Sequence, residues 1–142
     1  MIFGKRERLI RRILVVEDEP LVAFDNEIML KDADYEVVAT VDTFADAAEA
    51  IGLHEIDLVL TDLSLSGDGD GSDVARAAGE RGIPVLFVTG DCPEEAKCLA
   101  LGCLAKPYSA RVLLNALKVI DEHLRGEEVG NLPDELVLYA RL

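Results

Sequence analysis

The sequence is short of basic residues and of long apolar runs, and each shortage excludes a class of protein. Fourteen basic residues stand against 28 acidic ones among 142, and the net charge of −14 argues against direct binding to nucleic acid or to an anionic membrane. No apolar run approaches the ~20 residues that cross a bilayer, so we expect no membrane insertion. Half of the residues are nonetheless apolar, which suits a single folded domain of this length.

Cysteine is also scarce. Cys92, Cys98 and Cys103 are odd in number and show no C-x-x-C spacing, and both histidines lie far from them in the sequence. A structural zinc site needs four ligands, usually with one close pair, and this pattern does not supply them. We therefore expect buried or half-buried free thiols and a cytoplasmic protein.

Positive charge is concentrated at the start of the chain. Five basic residues and one acid, Glu7, fall within the first twelve positions. The apolar run that follows at 13–16 is too short for the core of an export signal. Residues 1–11 are predicted to form an exposed basic arm that compensates an acidic body, with a partner-docking arm as the alternative.

Short apolar runs alternate with amphipathic segments along the rest of the chain. Runs rich in Val, Ile and Leu predict five strands of a parallel sheet covered on both faces, at 13–16, 37–41, 58–61, 85–88 and 103–105. Helical periodicity predicts five intervening helices, at 20–33, 43–53, 72–81, 93–101 and 109–124. Ser72 and Ser109 are the expected caps of the third and fifth, and the apolar stripe of the first includes Leu21, Phe24 and Ile28.

This alternation implies a doubly wound α/β fold with right-handed crossovers. The domain is predicted to span residues 12–125. The helical rhythm stops at 125–128, where we expect a surface linker. The remaining tail, 126–142, is predicted to contain one or two helical turns.

Polar residues follow the predicted strands. Ligands bind at the carboxyl ends of the strands in an open parallel sheet, and these ends meet at one edge. The residues that leave strands one, three, four and five are Glu17, Asp18, Asp62, Thr89 and Lys106. We therefore expect carboxylates, a hydroxyl and an ammonium group to converge there.

These residue types suit phosphoryl chemistry. Clustered carboxylates favour Mg²⁺, which also accepts water and phosphoryl oxygens as ligands. An aspartate can attack phosphorus to form an aspartyl phosphate, and Lys106 and Thr89 could stabilise the charge that develops on the phosphoryl group. In the alternative interpretation, Lys106 only neutralises buried acids in a structural ion network.

Four segments resemble the receiver domain of two-component response regulators. They read ILVVEDEP at 13–20, DLVLTDL at 57–63, VLFVTG at 85–90 and KPY at 106–108, in the family's order and at suitable spacing. The resemblance covers about residues 12–125. It implies a flavodoxin-like, five-stranded parallel sheet in the order 2-1-3-4-5.

The resemblance also implies a role for each site residue. Asp62 would be the phosphoacceptor, and its donor would be a phosphohistidine on a histidine kinase or a histidine phosphotransferase. Asp18 would bind Mg²⁺ directly, Glu17 would bind it through water, and Asp62 and the backbone carbonyl of Ser64 would complete the protein ligands. Thr89 would be the switch hydroxyl, and Lys106 would pair with the phosphoryl group. The Lys106–Pro107 bond is expected to be cis.

Three features depart from the family pattern. Glu17 replaces the commoner aspartate, and Cys103 stands where the family usually has an aromatic switch residue. The segment from Thr89 to Lys106 is short, so the fourth helix must be abbreviated. The run at 87–90 is similar to that of stand-alone FATGUY receivers, although Val88 and Asp91 depart from their motif.

The expected function is that of a single-domain response regulator, which catalyses only its own phosphorylation and dephosphorylation and is otherwise not an enzyme. The 17 residues after Arg125 are too few for a helix-turn-helix, so we expect no direct contact with nucleic acid. The protein would act on an unidentified downstream protein as an interaction switch, or carry phosphoryl groups in a relay. The alternatives are a pseudo-receiver adaptor that is never phosphorylated and an aspartyl-phosphate phosphatase.

Overall fold

A computed structural model describes residues 8–139 of the chain, and within them strands and helices alternate. The strands are β1 (Arg12–Val16), β2 (Glu36–Val41), β3 (Leu58–Asp62), β4 (Val85–Thr89), β5 (Gly102–Ala105) and β6 (Leu136–Leu138). The α-helices are α1 (Pro20–Asp32), α2 (Phe44–Leu53), α3 (Gly71–Glu80) and α4 (Ala110–Leu124), and a 3₁₀ helix spans Glu94–Cys98. None of the helices in this part of the chain is both long enough and apolar enough to cross a membrane.

The strands form one sheet in the order β2-β1-β3-β4-β5-β6. The first five pair in parallel, which confirms the predicted doubly wound, flavodoxin-like sheet with the order 2-1-3-4-5. A core lies on each face, because alternate residues of a strand point to opposite sides. In β1, Ile13 and Val15 pack toward α1 and α4, whereas Leu14 and Val16 pack toward α2 and α3. Helices thus cover both faces and leave the carboxyl ends of the strands accessible.

The tail corrects one prediction, because it contains a strand and not the expected helical turns. β6 pairs antiparallel with β5, with Leu136 opposite Leu104 and Leu138 opposite Gly102. Leu136 is buried, Val137 is exposed, and this alternation has the period of a strand. A short apolar run fits a helix or a strand equally well in sequence. Here it forms a strand, because the edge of β5 offers unpaired backbone N–H and C=O groups for pairing.

Helix α1 forms where it was predicted, but the predicted stripe faces solvent. Leu21, Phe24 and Ile28 are 79%, 60% and 41% exposed, and the helix buries Ala23, Asn26 and Leu30 instead. Both sets follow helical spacing, so periodicity alone does not choose between them. The result is an exposed apolar row that begins at the first turn of the helix.

The segment between β4 and β5 is short, as expected, and its helix is a single 3₁₀ segment. The prediction of free thiols is wrong for two of the three cysteines, since Cys92 and Cys103 form a disulfide, while Cys98 is free and exposed. The two partners are 11 residues apart in sequence. They are close because β5 brings Cys103 back beside the segment that follows β4, and no local spacing pattern in the sequence indicates this.

The predicted basic arm is described only from residue 8, and residues 1–7 lie outside the described part of the chain. The Arg8 guanidinium stacks on the Tyr35 ring at 4.1 Å and donates a hydrogen bond to the carbonyl of Ala33. The N–H groups of Leu9 and Ile10 donate to Asp121 Oδ1 of α4. These contacts hold residues 8–10 against the helical layer that contains α1 and α4.

Candidate functional site

Asp62 is the last residue of β3, where its carboxylate is buried at the edge of the sheet. Its Oδ1 atom accepts a hydrogen bond from the backbone N–H of Ser64 at 3.1 Å. Its Oδ2 atom accepts one from the Lys106 ammonium at 2.7 Å. Short hydrogen bonds between charged partners are strong, so this carboxylate is held at both oxygens.

Glu17 and Asp18 follow β1, the strand next to β3. The side chain of Glu17 is fully buried; its Oε1 atom lies 2.8 Å from the Lys106 ammonium, and its Oε2 atom accepts from the N–H of Glu19 at 3.1 Å. Burial is the main influence that raises the pKa of Glu17, because it removes water from the charged form. Asp18 is half-buried and accepts a hydrogen bond from the Ser66 hydroxyl at 3.0 Å.

One oxygen from each of Glu17, Asp18 and Asp62 lies within 4.8 Å of the other two. Three carboxylates therefore share a small space with the single ammonium group of Lys106. Carboxylate oxygens are the ligands that hard divalent cations prefer, and the charge left uncompensated by Lys106 favours such a cation further. This cluster could hold a metal ion.

Lys106 directly follows β5, and its ammonium group joins the acids of β1 and β3. The bond between Lys106 and Pro107 is cis, as expected. Burial acts to lower the pKa of Lys106, but hydrogen bonds to Asp62 and Glu17 outweigh it and raise the pKa above its ordinary value. Lys106 therefore stays charged at neutral pH.

The loop after β3 is held against the site by its close packing on the start of α3. Gly71 donates from its N–H to the carbonyl of Leu63 at 2.8 Å, and a Cβ atom there would collide with the backbone carbonyl of Asp62. Only glycine permits this approach.

The cap of α3 is Asp70 and not the predicted Ser72, because the Asp70 carboxylate accepts from the N–H groups of Ser72 and Asp73 in a capping box.

Thr89 lies on the strand beside Asp62. It ends β4, one residue beyond Val88, which pairs with Asp62, and its backbone carbonyl accepts from the N–H of Lys106 at 2.8 Å. Among the hydrogen bonds found within residues 8–139, none joins the Thr89 hydroxyl to the carboxylates. The structure therefore brings Glu17, Asp18, Asp62 and Lys106 together at one edge of the sheet. The N–H of Ser64 is bonded to Asp62, and Thr89 lies on the adjacent strand.

Three residues that support this site, Ser66, Asn26 and Tyr108, were not predicted from the sequence. Ser66 binds Asp18, as described above, and the Tyr108 hydroxyl donates to Oδ1 of the buried Asn26 on α1 at 3.0 Å. Burial raises the pKa of Tyr108 to about 12. The contact between Tyr108 and Asn26 joins the segment that leads into α4 to α1. In the sequence, its only signal is that Tyr108 lies two residues after Lys106.

Comparison with known proteins now identifies the family. Residues 13–118 match the family described as the response regulator receiver domain. The chain belongs to this family. The match covers the strands and loops that carry all the site residues described above.

Individual relatives agree with this placement of the chain. The transcriptional regulatory protein PdtaR of Mycobacterium tuberculosis is 33% identical over an alignment of 121 residues, which covers 81% of this chain and 58% of PdtaR. The solution structure of SdrG from Sphingomonas melonis is 33% identical with a TM-score of 0.67, over 79% of this chain and 97% of SdrG. The signal receiver domain of a modulated diguanylate cyclase from Desulfovibrio desulfuricans has a TM-score of 0.73 at 28% identity, over 82% of this chain and 97% of that domain.

Proposed function

We propose that this receiver domain accepts a phosphoryl group on Asp62 from a phosphohistidine, in a reaction that requires Mg²⁺, and that it acts in the cytoplasm as a protein-interaction switch or a phosphorelay carrier. One observation carries the proposal. Three carboxylates lie within 4.8 Å of one another, and the Lys106 ammonium bridges Asp62 and Glu17. A purely structural ion pair would not need the third carboxylate, Asp18, which adds repulsion.

The donor set fits Mg²⁺ and not a softer metal, because every candidate ligand is an oxygen. Asp18 and Asp62 would hold the ion together with the backbone carbonyl of Ser64, and Glu17 would contact it through water. When bound, the ion would neutralise phosphoryl oxygens during transfer. The chain's own contribution is to keep the three carboxylates close together before the ion arrives.

The remaining roles follow from the contacts of the Asp62 carboxylate. An oxygen of this carboxylate would attack phosphorus while the bond from phosphorus to the histidine nitrogen breaks, and the imidazole would leave with the electron pair. The Lys106 ammonium, 2.7 Å from Asp62 Oδ2, would then stabilise the negative charge on the transferred group, together with the Thr89 hydroxyl. Because these groups act on the chain's own aspartate, we propose no turnover of an external substrate.

The exposed apolar row of α1 is the surface we propose for the phosphohistidine donor. The helix begins at Pro20, directly after the acidic residues that follow β1, so Leu21, Phe24 and Ile28 extend away from the site. Exposed apolar patches next to a reactive centre favour contact with a protein partner. The net charge of −14 argues that this partner, like the downstream one, is a protein and not a nucleic acid.

The test is incubation with acetyl phosphate and Mg²⁺, followed by measurement of the intact mass. We expect the chain to gain one phosphoryl group, and we expect no gain without Mg²⁺ or in the Asp62→Asn variant, whose amide is not nucleophilic. A chain that never gains this mass would be an adaptor. A chain that hydrolyses many equivalents of a foreign phosphoester would be a phosphatase, and either result would contradict the proposal.

A further inference from the structure

The Cys92–Cys103 disulfide joins the segment that follows Thr89 to the strand that precedes Lys106, and these are the two side chains proposed to contact the phosphoryl group. Cys92 lies three residues after Thr89, and Cys103 lies three residues before Lys106 on β5. In the sheet, Cys103 is paired with Phe87, two residues before Thr89. The disulfide therefore fixes the loop that leaves β4 against the strand that leads to Lys106.

Access to this disulfide is one-sided. Cys103 is completely buried in the core beneath α2 and α3, whereas Cys92 is half-buried and Cys98 is exposed on the 3₁₀ helix. Exchange begins when a thiolate attacks one sulfur of a disulfide, and the rate depends on access to that sulfur. An external thiol would thus attack Cys92 and release the Cys103 thiolate into the core.

We propose that Cys92 and Cys103 form a reversible thiol–disulfide site that controls how fast Asp62 accepts a phosphoryl group, an inference that rests on the proposed function. The phosphoryl group is larger than the carboxylate it modifies, so the Thr89 hydroxyl and the Lys106 ammonium must adjust around it. In the oxidised chain the disulfide restrains the loop after Thr89, and phosphorylation is slower. In the reduced chain the loop can move together with Thr89, and phosphorylation is faster.

The chemistry needs a low-molecular-mass disulfide as oxidant, such as glutathione disulfide. Its S–S bond breaks, the bond between Cys92 and Cys103 forms, and the two protons and two electrons of the protein thiols leave in two molecules of glutathione. Reduction by a thiol runs the same steps in reverse.

The experiment compares the rate of phosphoryl gain from acetyl phosphate and Mg²⁺ after dithiothreitol and after glutathione disulfide. It uses the Cys98→Ser variant of the full chain, so that the exposed thiol does not take up the reagent. Its companion is the Cys92→Ser, Cys98→Ser double variant, which keeps Cys103 in the core but has no partner for it. Intact mass records in each case whether two hydrogen atoms have been lost, whether glutathione has been added and whether the phosphoryl group has been gained.

We expect the oxidised Cys98→Ser chain to lack two hydrogen atoms and to take up phosphoryl groups on the order of fivefold more slowly than its reduced form. The double variant should react at the same rate under both conditions. Equal rates for oxidised and reduced Cys98→Ser chains would overturn the inference, as would a chain that forms no disulfide or only carries glutathione. If the reduced chain gains no phosphoryl group at all, the proposed function itself fails, and this inference fails with it.

Discussion

Two neighbouring regions of this domain are stabilised in opposite ways. The acidic rim, which comprises Glu17, Asp18, Asp62 and Lys106, concentrates like charges at the carboxyl ends of β1 and β3. The β5 border, which comprises the 3₁₀ helix, the Cys92–Cys103 disulfide and β6, is held by a covalent bond, a backbone ladder and apolar packing.

Like charges at close range destabilise the fold, whereas buried apolar contacts stabilise it. The difference agrees with the proposed chemistry at the acidic rim and with a role of the β5 border in holding Lys106 in place. β5 belongs to both regions, because its last residue precedes Lys106 and its N–H donates to the carbonyl of Glu135 in the tail at 2.8 Å. Substitutions in the two regions should therefore differ in kind, and the following predictions test that difference.

The largest effect on stability is expected at the β5 border. Leu136→Ala removes a side chain that is 4% exposed beside β5, and it should lower the free energy of unfolding by about 2–4 kcal/mol. Val137→Ala is the matched control, because Val137 is 46% exposed on the same strand and should change stability by no more than about 0.5 kcal/mol. Urea unfolding measures both values. Equal losses for the two variants would mean that β6 contributes no specific packing.

The next effect concerns the approach of the phosphohistidine donor to the rim. Phe24→Ala removes the large exposed ring from α1 and should slow transfer from a phosphorylated histidine protein by roughly tenfold. Transfer from acetyl phosphate should not change, since a small donor needs no docking surface. Leu53→Ala, on a side chain 73% exposed at the end of α2, is the control for loss of exposed apolar area. If the rates of transfer from the histidine protein and from acetyl phosphate fell equally, Phe24 would act on the phosphorylation site and not on docking.

A smaller effect is expected where Tyr108 joins the α4 segment to α1. Tyr108→Phe removes the hydrogen bond to the buried Asn26 and should cost about 1 kcal/mol of stability. The pKa of Tyr108 is about 12 in the folded chain and ordinarily about 10, so the folded state keeps a proton that the unfolded state loses.

This contribution of Tyr108 to stability is therefore complete below pH 10 and is lost as the pH rises toward 12. Unfolding measured across that interval should show a steeper loss of stability in the parent chain than in Tyr108→Phe. Identical pH dependences in the two chains would exclude Tyr108 as the titrating group.

The smallest predicted effect has the opposite sign. Asp18→Asn removes one of three neighbouring carboxylates at the acidic rim while its amide oxygen can still accept from Ser66, so it should raise the free energy of unfolding without Mg²⁺ by about 0.5–1 kcal/mol. The same substitution should weaken Mg²⁺ binding measured by calorimetry. Glu49→Gln, at an exposed position in α2, changes the net charge equally and should leave both quantities unaltered. A loss of stability in Asp18→Asn would contradict the view that the rim is strained by its charges.

The same two regions differ in how much of their structure could be predicted from the sequence. The acidic rim could be predicted because its residues lie at or just after the ends of apolar runs, and parallel topology brings the ends of these runs to one edge. The contacts of Lys106 with Glu17 and Asp62 follow from that rule, and so does the position of Thr89 beside Asp62.

The short helix of the β5 border was predicted, but β6 and the disulfide were not, because their contacts join segments without a local signal. A three-residue strand at Leu136–Leu138 has no pattern that separates it from a helical turn, and the pairing of Cys92 with Cys103 depends on where the chain returns. Helix α1 is an intermediate case. Its position was predicted, but its buried face is set by packing on β1, β2 and α4. That packing buries Ala23 and Leu30 and leaves Leu21 and Phe24 exposed.

The most direct test of the central proposal is to locate the modified residue. Borohydride reduces an aspartyl phosphate to homoserine, so treatment of the chain after acetyl phosphate and Mg²⁺ should convert residue 62 alone, and peptide mass spectrometry identifies that position. We predict homoserine at position 62 and unmodified Glu17 and Asp18. Homoserine at another acidic position, or none in a chain that has gained a phosphoryl group, would contradict the assignment of Asp62 as the phosphoacceptor.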